Sequence, residues 1–420
     1  MQAALHAILK RFVRLGRLRV RWPDASTSAY AGGGSGPEAA FQLRDAKAIR
    51  RLLLSPVLSF GESYMDGTLE PEGCSIYDVM DLVATNVMAS GNQHPMVGVQ
   101  NAVLQAKRRF DQYNPVPRAQ RNAAHHYDLN GRLYSLFLDR DRQYSCAYFR
   151  RGDETLEEAQ IAKQRLIAAK LLLNRPDLKV LDIGSGWGGL ALTLAREYGA
   201  TVLGVTLSKE QLAESRARAE AEGLADRVRF ELMDYRAVHE RFDRVVSVGM
   251  FEHVGVGHYR EFFDTVARCL EPDGVALLHA IGRNEVPGVT NPWISKYIFP
   301  GGYCPALSEV IPRIEKAKLL ITDIEILRMH YAETLRHWRR RFAANRDTIA
   351  AVYDERFCRM FEFYLAGAEL SFRRENMMVF QIQMAHDQTA VPLTRDYITA
   401  KDEEQPPREV GASPELRRSV

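Results

Sequence analysis

The chain has 420 residues, 46% of them hydrophobic, and a net charge of +3. That is enough for a sizeable core in two domains or one enlarged one, and no recognition motif points to nucleic acid. Five cysteines (74, 146, 269, 304 and 358), odd in number and never in C-x-x-C spacing, indicate a reducing cytosol and exclude a disulfide framework or a structural zinc, so no metal is expected.

Taken in chain order, the first 21 residues carry Lys10, Arg11, Arg14, Arg17, Arg19 and Arg21 and no acid. Leu5, Ile8, Leu9, Phe12 and Val13 gather on one helical face between them. Such a segment suits an anionic membrane surface or a solvated basic helix packed on its own domain. It lacks the long apolar stretch and cleavage site of a secretory signal, and no uncharged run is long enough to span a bilayer. Residues 22–38, rich in Gly, Ser and Pro, read as a turn-rich insertion. A compact region follows over 39–90, then a polar helix over 98–112 and the break Asn114-Pro-Val-Pro117. The expected division is an N-terminal unit at 1–114, a catalytic domain at 115–399 and a disordered tail at 400–420.

From 150 onward strands and helices alternate, which predicts a mostly parallel sheet. Thr155-Leu-Glu-Glu158 fits a capping box ahead of a helix over 159–173. Strands are expected at 178–183, 201–206, 227–232, 243–248 and 274–280. Helices are expected between them at 189–198, 208–222 and 258–270. Later elements are a helix at 313–319, a strand at 321–329, helices at 331–346 and 349–370, and a strand over Met377–Met384. Five alternating units plus two late strands match the sheet of class I methyltransferases (Rossmann-like, seven strands, helices on both faces) better than that of a dehydrogenase.

The run Val180-Leu-Asp-Ile-Gly-Ser-Gly-Trp-Gly-Gly189 is a strand, a glycine turn and a helix start. Such a turn lets a cofactor lie almost on the backbone, and a side chain at Gly184 or Gly186 would take the cofactor's space. The second strand ends in Thr206-Leu-Ser208 with no acid for ribose hydroxyls, which weakens a NAD reading and leaves Thr206 and Gln211 as polar contacts. At the end of the third strand, Asp234 can accept from an adenine amino group or cap a turn, and Tyr235 can stack on the base.

The motifs Tyr144-Ser-Cys-Ala-Tyr-Phe149, Val180–Gly189, Gly204-Val-Thr-Leu-Ser208, Ser247-Val-Gly-Met-Phe-Glu-His-Val-Gly255, Leu278-His-Ala-Ile-Gly282 and Tyr297-Ile-Phe-Pro-Gly-Gly302 occur in that order. Together they closely resemble the cyclopropane-fatty-acyl-phospholipid synthases and the related mycolic acid cyclopropane synthases, over about 120–390. Residues 39–90, with Ser59-Phe-Gly-Glu-Ser-Tyr-Met-Asp-Gly67, resemble the N-terminal domain of the phospholipid enzymes. Ser185 stands where many members have Cys, and Leu129-Asn-Gly-Arg132 departs from the usual text.

The resemblance implies methylene transfer from S-adenosylmethionine to a cis double bond of an unsaturated phospholipid. It places cofactor contacts at Tyr144, Ser145, Gly184, Gly186, Thr206, Leu207, Gln211, Tyr235 and Arg236, to which the reading of the residues adds Gly188 of the glycine loop and Asp234. It also implies a bicarbonate base held by Cys146, Glu252, His279, Tyr331 and the backbone of Ile281. A cytoplasmic protein peripheral on the inner face of the membrane follows, with an N-terminal domain of lipid-binding and dimerisation type and a possible homodimer.

The chemistry asks for such a site. Methyl transfer to an alkene leaves a positive charge on carbon that water would quench, so the site must be dry. Phe149, Phe251, Tyr148 and Trp293 are candidate walls, or ordinary core residues. His279, Tyr331 and the Cys146 backbone can donate to the anion; Glu252 can accept from it or orient His279. A C-methyltransferase giving a branched, methylene or oxygenated acyl product fits the same residue types. A small-molecule N-methyltransferase needs no such cage, and an intact cofactor loop opposes a non-enzymatic membrane-binding protein.

Overall fold

The computed structural model describes residues 1–90, 94–111 and 131–399. The expected boundary near 115, residues 126–130 and the tail from 400 lie outside them.

The chain begins with helix α1 (Gln2–Phe12), strands β1 (Leu15–Arg21), β2 (Thr27–Ala31) and β3 (Gly34–Leu43), helices α2 (Ala46–Leu54) and α3 (Pro56–Met65), strand β4 (Leu69–Pro71), and helices α4 (Ile76–Ser90) and α5 (Pro95–Asp111). The strands form a four-stranded sheet in the order β2-β1-β3-β4. Residues 22–38 are therefore not a turn-rich insertion: most of them belong to β2 and β3. The glycines serve close strand approach. A Cβ at Gly16 (φ +76) would stand 2.0 Å from the Pro37 carbonyl oxygen, and the β1–β3 register shifts between Leu15 and Arg17. In β1 the alternation puts Leu18 and Val20 inside and Arg17, Arg19 and Arg21 outside, so these arginines belong to a strand and not to the helix. On α1, Leu5 is buried, while Ile8, Leu9 and Phe12 are half-buried.

The second part contains α6 (Gly131–Phe137), α7 (Leu156–Lys170), β5 (Lys179–Ile183), α8 (Gly189–Tyr198), β6 (Thr201–Thr206), α9 (Lys209–Ala221), β7 (Val228–Leu232), β8 (Phe242–Val248), α10 (Tyr259–Cys269), β9 (Leu270–Arg283), α11 (Pro292–Tyr297), α12 (Leu307–Lys316), β10 (Leu320–Ile326), α13 (His330–Ala344), α14 (Arg346–Ala350), α15 (Glu355–Arg373) and β11 (Met377–Ala385). Its sheet has seven strands in the order β10-β11-β9-β8-β5-β6-β7. β5, β6, β7, β8 and β9 run parallel, and β11 is antiparallel to both neighbours. The capping box at Thr155 and Glu158 is present and starts α7. The helix expected over 349–370 is two helices, because Asp354 caps a fresh start by accepting from the Phe357 N–H at 2.7 Å. The helix expected at 313–319 begins earlier, at Leu307, and carries Pro312 inside it.

The two parts are tied by polar contacts across α3 and α4 against α11 and α15. The Tyr64 hydroxyl donates to Glu362 at 2.8 Å, Lys296 and Tyr297 both reach Glu62 (2.7 and 2.8 Å), and Arg374 meets Asp81 at 2.7 Å. One hydrophobic cluster runs through both parts, from Leu5 to Val379. Among the described residues, no helix is long and apolar enough to cross a membrane.

Candidate active site

At the carboxyl ends of β5, β6, β7 and β8 lies a cavity of about 170 Å³, where an open α/β sheet holds its ligands. Tyr144, Ser145, Gly184, Gly186, Thr206, Leu207, Gln211, Asp234, Tyr235 and Arg236 all line it. Gly188 does not. It caps α8 at φ +82, and a Cβ there would press on Phe230 at 2.7 Å and Ser215 at 2.9 Å. Its glycine requirement is packing. Gly184 and Gly186 also differ. A Cβ at Gly186 (φ +54) meets nothing within 4 Å and would project into open space, whereas at Gly184 (φ +83) it would strike Met250 at 2.8 Å. The space beside Gly184 thus belongs to a protein side chain.

The polar groups at the β6 and β7 ends are already paired. Thr206 donates to the Gln211 side chain at 3.0 Å. Asp234 accepts from the Arg236 backbone at 3.0 Å and from its guanidinium at 2.8 Å through both oxygens. Asp234 is therefore both turn cap and cavity wall. Arg236 lies over the Tyr235 ring at 5.5 Å.

Residues 143–149 form no helix or strand, and side chains from α7 and α13 satisfy their backbone. Gln160 donates to the Ser145 carbonyl at 3.0 Å, the Thr334 hydroxyl accepts from the Ala147 N–H at 3.0 Å, and His330 Nδ1 accepts from the Phe149 N–H at 3.0 Å. Lys163, fully buried, donates to the Ser145 hydroxyl at 2.9 Å and to Gln143. Burial pulls its pKa down to about 8 against the pull of Asp139 and Asp141. Asp182, on the wall of this strand-end cavity, is 2% exposed, and its Oδ2 has no partner among the described residues. Burial raises its pKa to about 7, with Lys163 opposing. Sequence reasoning missed both. A lysine on a helix reads as solvated, and an aspartate inside a strand reads as an edge charge.

Tyr144, Ser145, Gly249 and His253 also line a second, apolar cavity of about 760 Å³. Cys146, Glu252, His279, Ile281 and Tyr331 all face it, so the five predicted cage residues share one chamber. Glu252 Oε1 accepts from the Ile281 N–H at 2.5 Å, while Oε2 is buried without a partner among the described residues. The Ile281 N–H is thus occupied by the protein itself. Burial raises Glu252 to about 7, and the Ile281 N–H pulls it back down. His279 is oriented by Gln381, not by Glu252: the Gln381 amide nitrogen lies 3.0 Å from Nδ1. The amide and the ring nitrogen share a hydrogen bond whose direction the histidine tautomer sets. Burial first, then Lys163 and Lys170, keep the imidazole neutral. Burial also pushes the Cys146 thiol up, so it is no nucleophile.

Of the four expected aromatic walls, only Trp293 faces this chamber. Phe251 stacks on Tyr259 at 4.3 Å, and Tyr148 and Phe149 stack on His330 at 4.8 and 6.4 Å. The aromatic lining near the cage comes instead from Tyr144, Tyr331, Tyr364 and Phe299. Cys304, also on the chamber wall, was another residue the sequence did not single out.

The sheet order, the glycine loop and the strand-end cavity define a class I S-adenosylmethionine-dependent methyltransferase. Residues 116–382 match the family described as mycolic acid cyclopropane synthetase, and residues 4–93 match a domain of unknown function. The chain is 40% identical over 359 residues to the cyclopropane-fatty-acyl-phospholipid synthase of Escherichia coli K12, covering 85% of this chain and 90% of that one. It is 35% identical over 400 residues to the tuberculostearic acid methyltransferase of Mycobacterium tuberculosis, covering 91% of each. A solved mycolic acid cyclopropane synthase, CmaA1 complexed with SAH and CTAB, is 34% identical with a TM-score of 0.60; the match covers 65% of this chain and 99% of that one. The chain belongs to the cyclopropane synthase family.

Proposed function

We propose that the enzyme transfers a methylene from S-adenosylmethionine to the cis double bond of an unsaturated acyl chain in a membrane phospholipid, forming a cyclopropane ring. The observation that carries this reading is the junction of the two cavities. Tyr144, Ser145, Gly249 and His253 belong to both walls, so a methyl donor in the small cavity faces directly into the apolar chamber. S-adenosylmethionine bound there supplies an electrophilic methyl group. The protein aligns the alkene with it, which is worth roughly 7–11 kcal/mol of barrier. Its aromatic and aliphatic walls keep water from the cation formed on the acyl chain.

Three features support bicarbonate as the base: the orphaned Glu252 Oε2, a neutral His279, and the Tyr331 hydroxyl in one chamber. With a pKa near 7, Glu252 can be protonated and share a hydrogen bond with a small anion, where an ionised carboxylate would repel it. Bicarbonate held there would supply the base that takes a proton from the delivered methyl group. Its fit requires the Ile281 N–H to be shared with Glu252 or released by it.

Two further points favour a lipid already in the bilayer. The match to the Escherichia coli relative extends over most of this chain, whereas the CmaA1 match leaves about a third of it uncovered. The start of the chain is basic. A cytoplasmic, peripheral location fits both. A second reading, a methyl-branched product from the same cation, is favoured by the match over 91% of the chain to a tuberculostearic acid methyltransferase. Incubation with S-adenosylmethionine and vesicles of unsaturated phospholipid, followed by acyl-chain analysis, decides. A gain of one CH₂ with ring protons in the NMR spectrum supports the first reading, and a branched chain replaces it with the second. No transfer to lipid overturns both.

A further inference from the structure

Closing a cyclopropane ring from a delivered methyl group releases one proton at every turnover. The walls that keep water from the cation also keep water from that proton, so it needs a route out through the protein. Two of the cage residues lead to no acid: His279 Nδ1 ends on the Gln381 amide, and the Cys146 thiol donates to the Ala147 carbonyl at 3.3 Å. Glu252 differs, because its Oε2 is buried and open.

A second open group lies close by. Tyr259, the first residue of α10, is 0% exposed, lines neither cavity, and its hydroxyl has no partner among the described residues. Burial first, then Glu309, Tyr303, Cys304 and Glu252, push its pKa up and keep it a neutral hydroxyl. It therefore sits within the fields of both Glu252 and Glu309. Tyr303 joins these two acids through direct contacts. Its backbone N–H donates to the Glu252 carbonyl at 2.9 Å, and its hydroxyl donates to Glu309 Oε2 at 2.7 Å. Glu309, in the first turn of α12, is half-buried, and the same oxygen accepts from the Ala306 N–H at 3.1 Å. The Arg283 guanidinium lies over the Tyr303 ring at 5.5 Å and its Nε donates to the Cys304 carbonyl at 3.0 Å, which clamps this segment in place. The titratable and charged groups facing the corner are thus Tyr259 from α10, Tyr303 and Cys304, Arg283 from β9, Glu309 from α12 and Tyr331 from α13. Two buried polar atoms left open beside paired ones are the setting in which proteins hold a bridging water.

We infer that Tyr259, Tyr303 and Glu309 form the proton outlet of the cage: a proton taken up at Glu252 passes from Oε2 through water and the two tyrosine hydroxyls to half-buried Glu309 and so to solvent. The methyl C–H bond breaks, its electron pair closes the ring, and the proton leaves along this path, so no oxidant or reductant is consumed. The Tyr303–Glu309 hydrogen bond already points outward. All three residues act through Glu252 and are relay residues rather than catalytic ones. This rests on the proposed ring-forming reading and adds the fate of its proton.

Tyr259→Phe and Tyr303→Phe each remove one hydroxyl and keep the ring. With no lipid or cofactor present, the protonated Glu252 carboxyl is recognised as the infrared C=O band missing from Glu252→Gln. Its proton should exchange for deuterium about tenfold more slowly in each phenylalanine variant than in the wild type. In turnover each variant should lose about tenfold in kcat, with melting temperature and affinity for S-adenosylhomocysteine unchanged. The slowed step should show a solvent deuterium isotope effect absent from the wild type, and imidazole, a small proton carrier, should restore the rate. A packing role would move neither. Wild-type exchange in either variant overturns the outlet, as does a fall in kcat with no isotope effect and no rescue. If the wild-type enzyme forms no ring at all, the reading beneath fails, and the exchange measurement still decides the outlet.

Discussion

At the β6 and β7 ends of the cofactor cavity, Thr206 holds Gln211, and Asp234 holds Arg236 through both oxygens. At the β5 end of the same cavity Asp182 Oδ2, Ser185 Oγ and Trp187 Nε1, and in the chamber Glu252 Oε2, are buried with no partner among the described residues. Groups that only hold a ligand can be satisfied in advance. Groups that share in binding or moving charge stay open, at roughly 1–3 kcal/mol for each unmade hydrogen bond. The contrast separates the paired β6 and β7 edge of the cavity from the open groups at its β5 end and in the chamber, and it can be attacked residue by residue.

The largest effect is expected at Glu252. Glu252→Gln should lower turnover about 10²–10⁴-fold, the range for loss of a positioned acid–base group, while S-adenosylhomocysteine binding by calorimetry stays unchanged. Stability should move the other way. The folded pKa is near 7 against an ordinary 4.5. Between these pH values the unfolded chain has released its proton while the folded one keeps it, so wild-type stability falls as pH rises and the penalty is complete above 7. The glutamine variant should therefore be the more stable above pH 7, by up to about 3 kcal/mol in urea titrations. Normal turnover in the variant would remove Glu252 from the cage.

Next come the glycines, which divide the seat from its frame. Gly188→Ala should cost about 1–3 kcal/mol of stability, from its left-handed φ and the contact with Phe230. Gly186→Ala should leave most of the stability and raise the Kd for S-adenosylhomocysteine about tenfold, equivalent to roughly 1.4 kcal/mol. If the two variants lose stability equally, Gly186 is a turn residue and not part of the seat.

On the chamber side, Gln381 is a positioning residue. Gln381→Leu frees the His279 ring to exchange tautomers and should lower kcat about tenfold, near one hydrogen bond's worth. It should also alter the pH–rate profile below neutrality, since His279 would lose the contact that fixes its tautomer. A uniform loss with an unaltered pH profile would mean a packing role only.

These contrasts show what the chain reveals before folding. The glycine loop and the residues 144, 146, 252 and 279 were legible because each sits in a long local motif, and the five parallel strands because they alternate with helices; Tyr331 lies in none of those motifs and came only from the family resemblance. The N-terminal sheet was not. In residues 32–37, Gly and Pro read as turns, yet the missing side chains of Gly36 and, opposite it, Gly16 are what let β1 and β3 run against each other. The aromatic walls failed for a related reason. Phe251 and Phe149 are adjacent in sequence to site residues, but backbone direction turns them into the core, while Tyr364 and Phe299 arrive from distant segments. Contacts closed by the fold, such as Gln381 on His279 or α1 on the outer end of the chamber, leave no local periodicity to read.

The smallest expected effect concerns the lysine beneath the junction. Lys163 holds Ser145 and Gln143 from below and touches neither cavity, so Lys163→Met should raise KM for S-adenosylmethionine a few-fold and leave kcat nearly unchanged. Its pH signature is more diagnostic than its kinetics. With a folded pKa near 8 against an ordinary 10.5, the unfolded chain binds more protons between these values. Wild-type stability then gains from Lys163 as pH rises from 8 toward 10, and the methionine variant lacks that gain. Urea midpoints at pH 8 and pH 9.5 for both proteins measure the difference. The same change in both would mean that Lys163 is not the charge held beneath the cofactor seat, and that Ser145 is positioned by Gln160 and the chain alone.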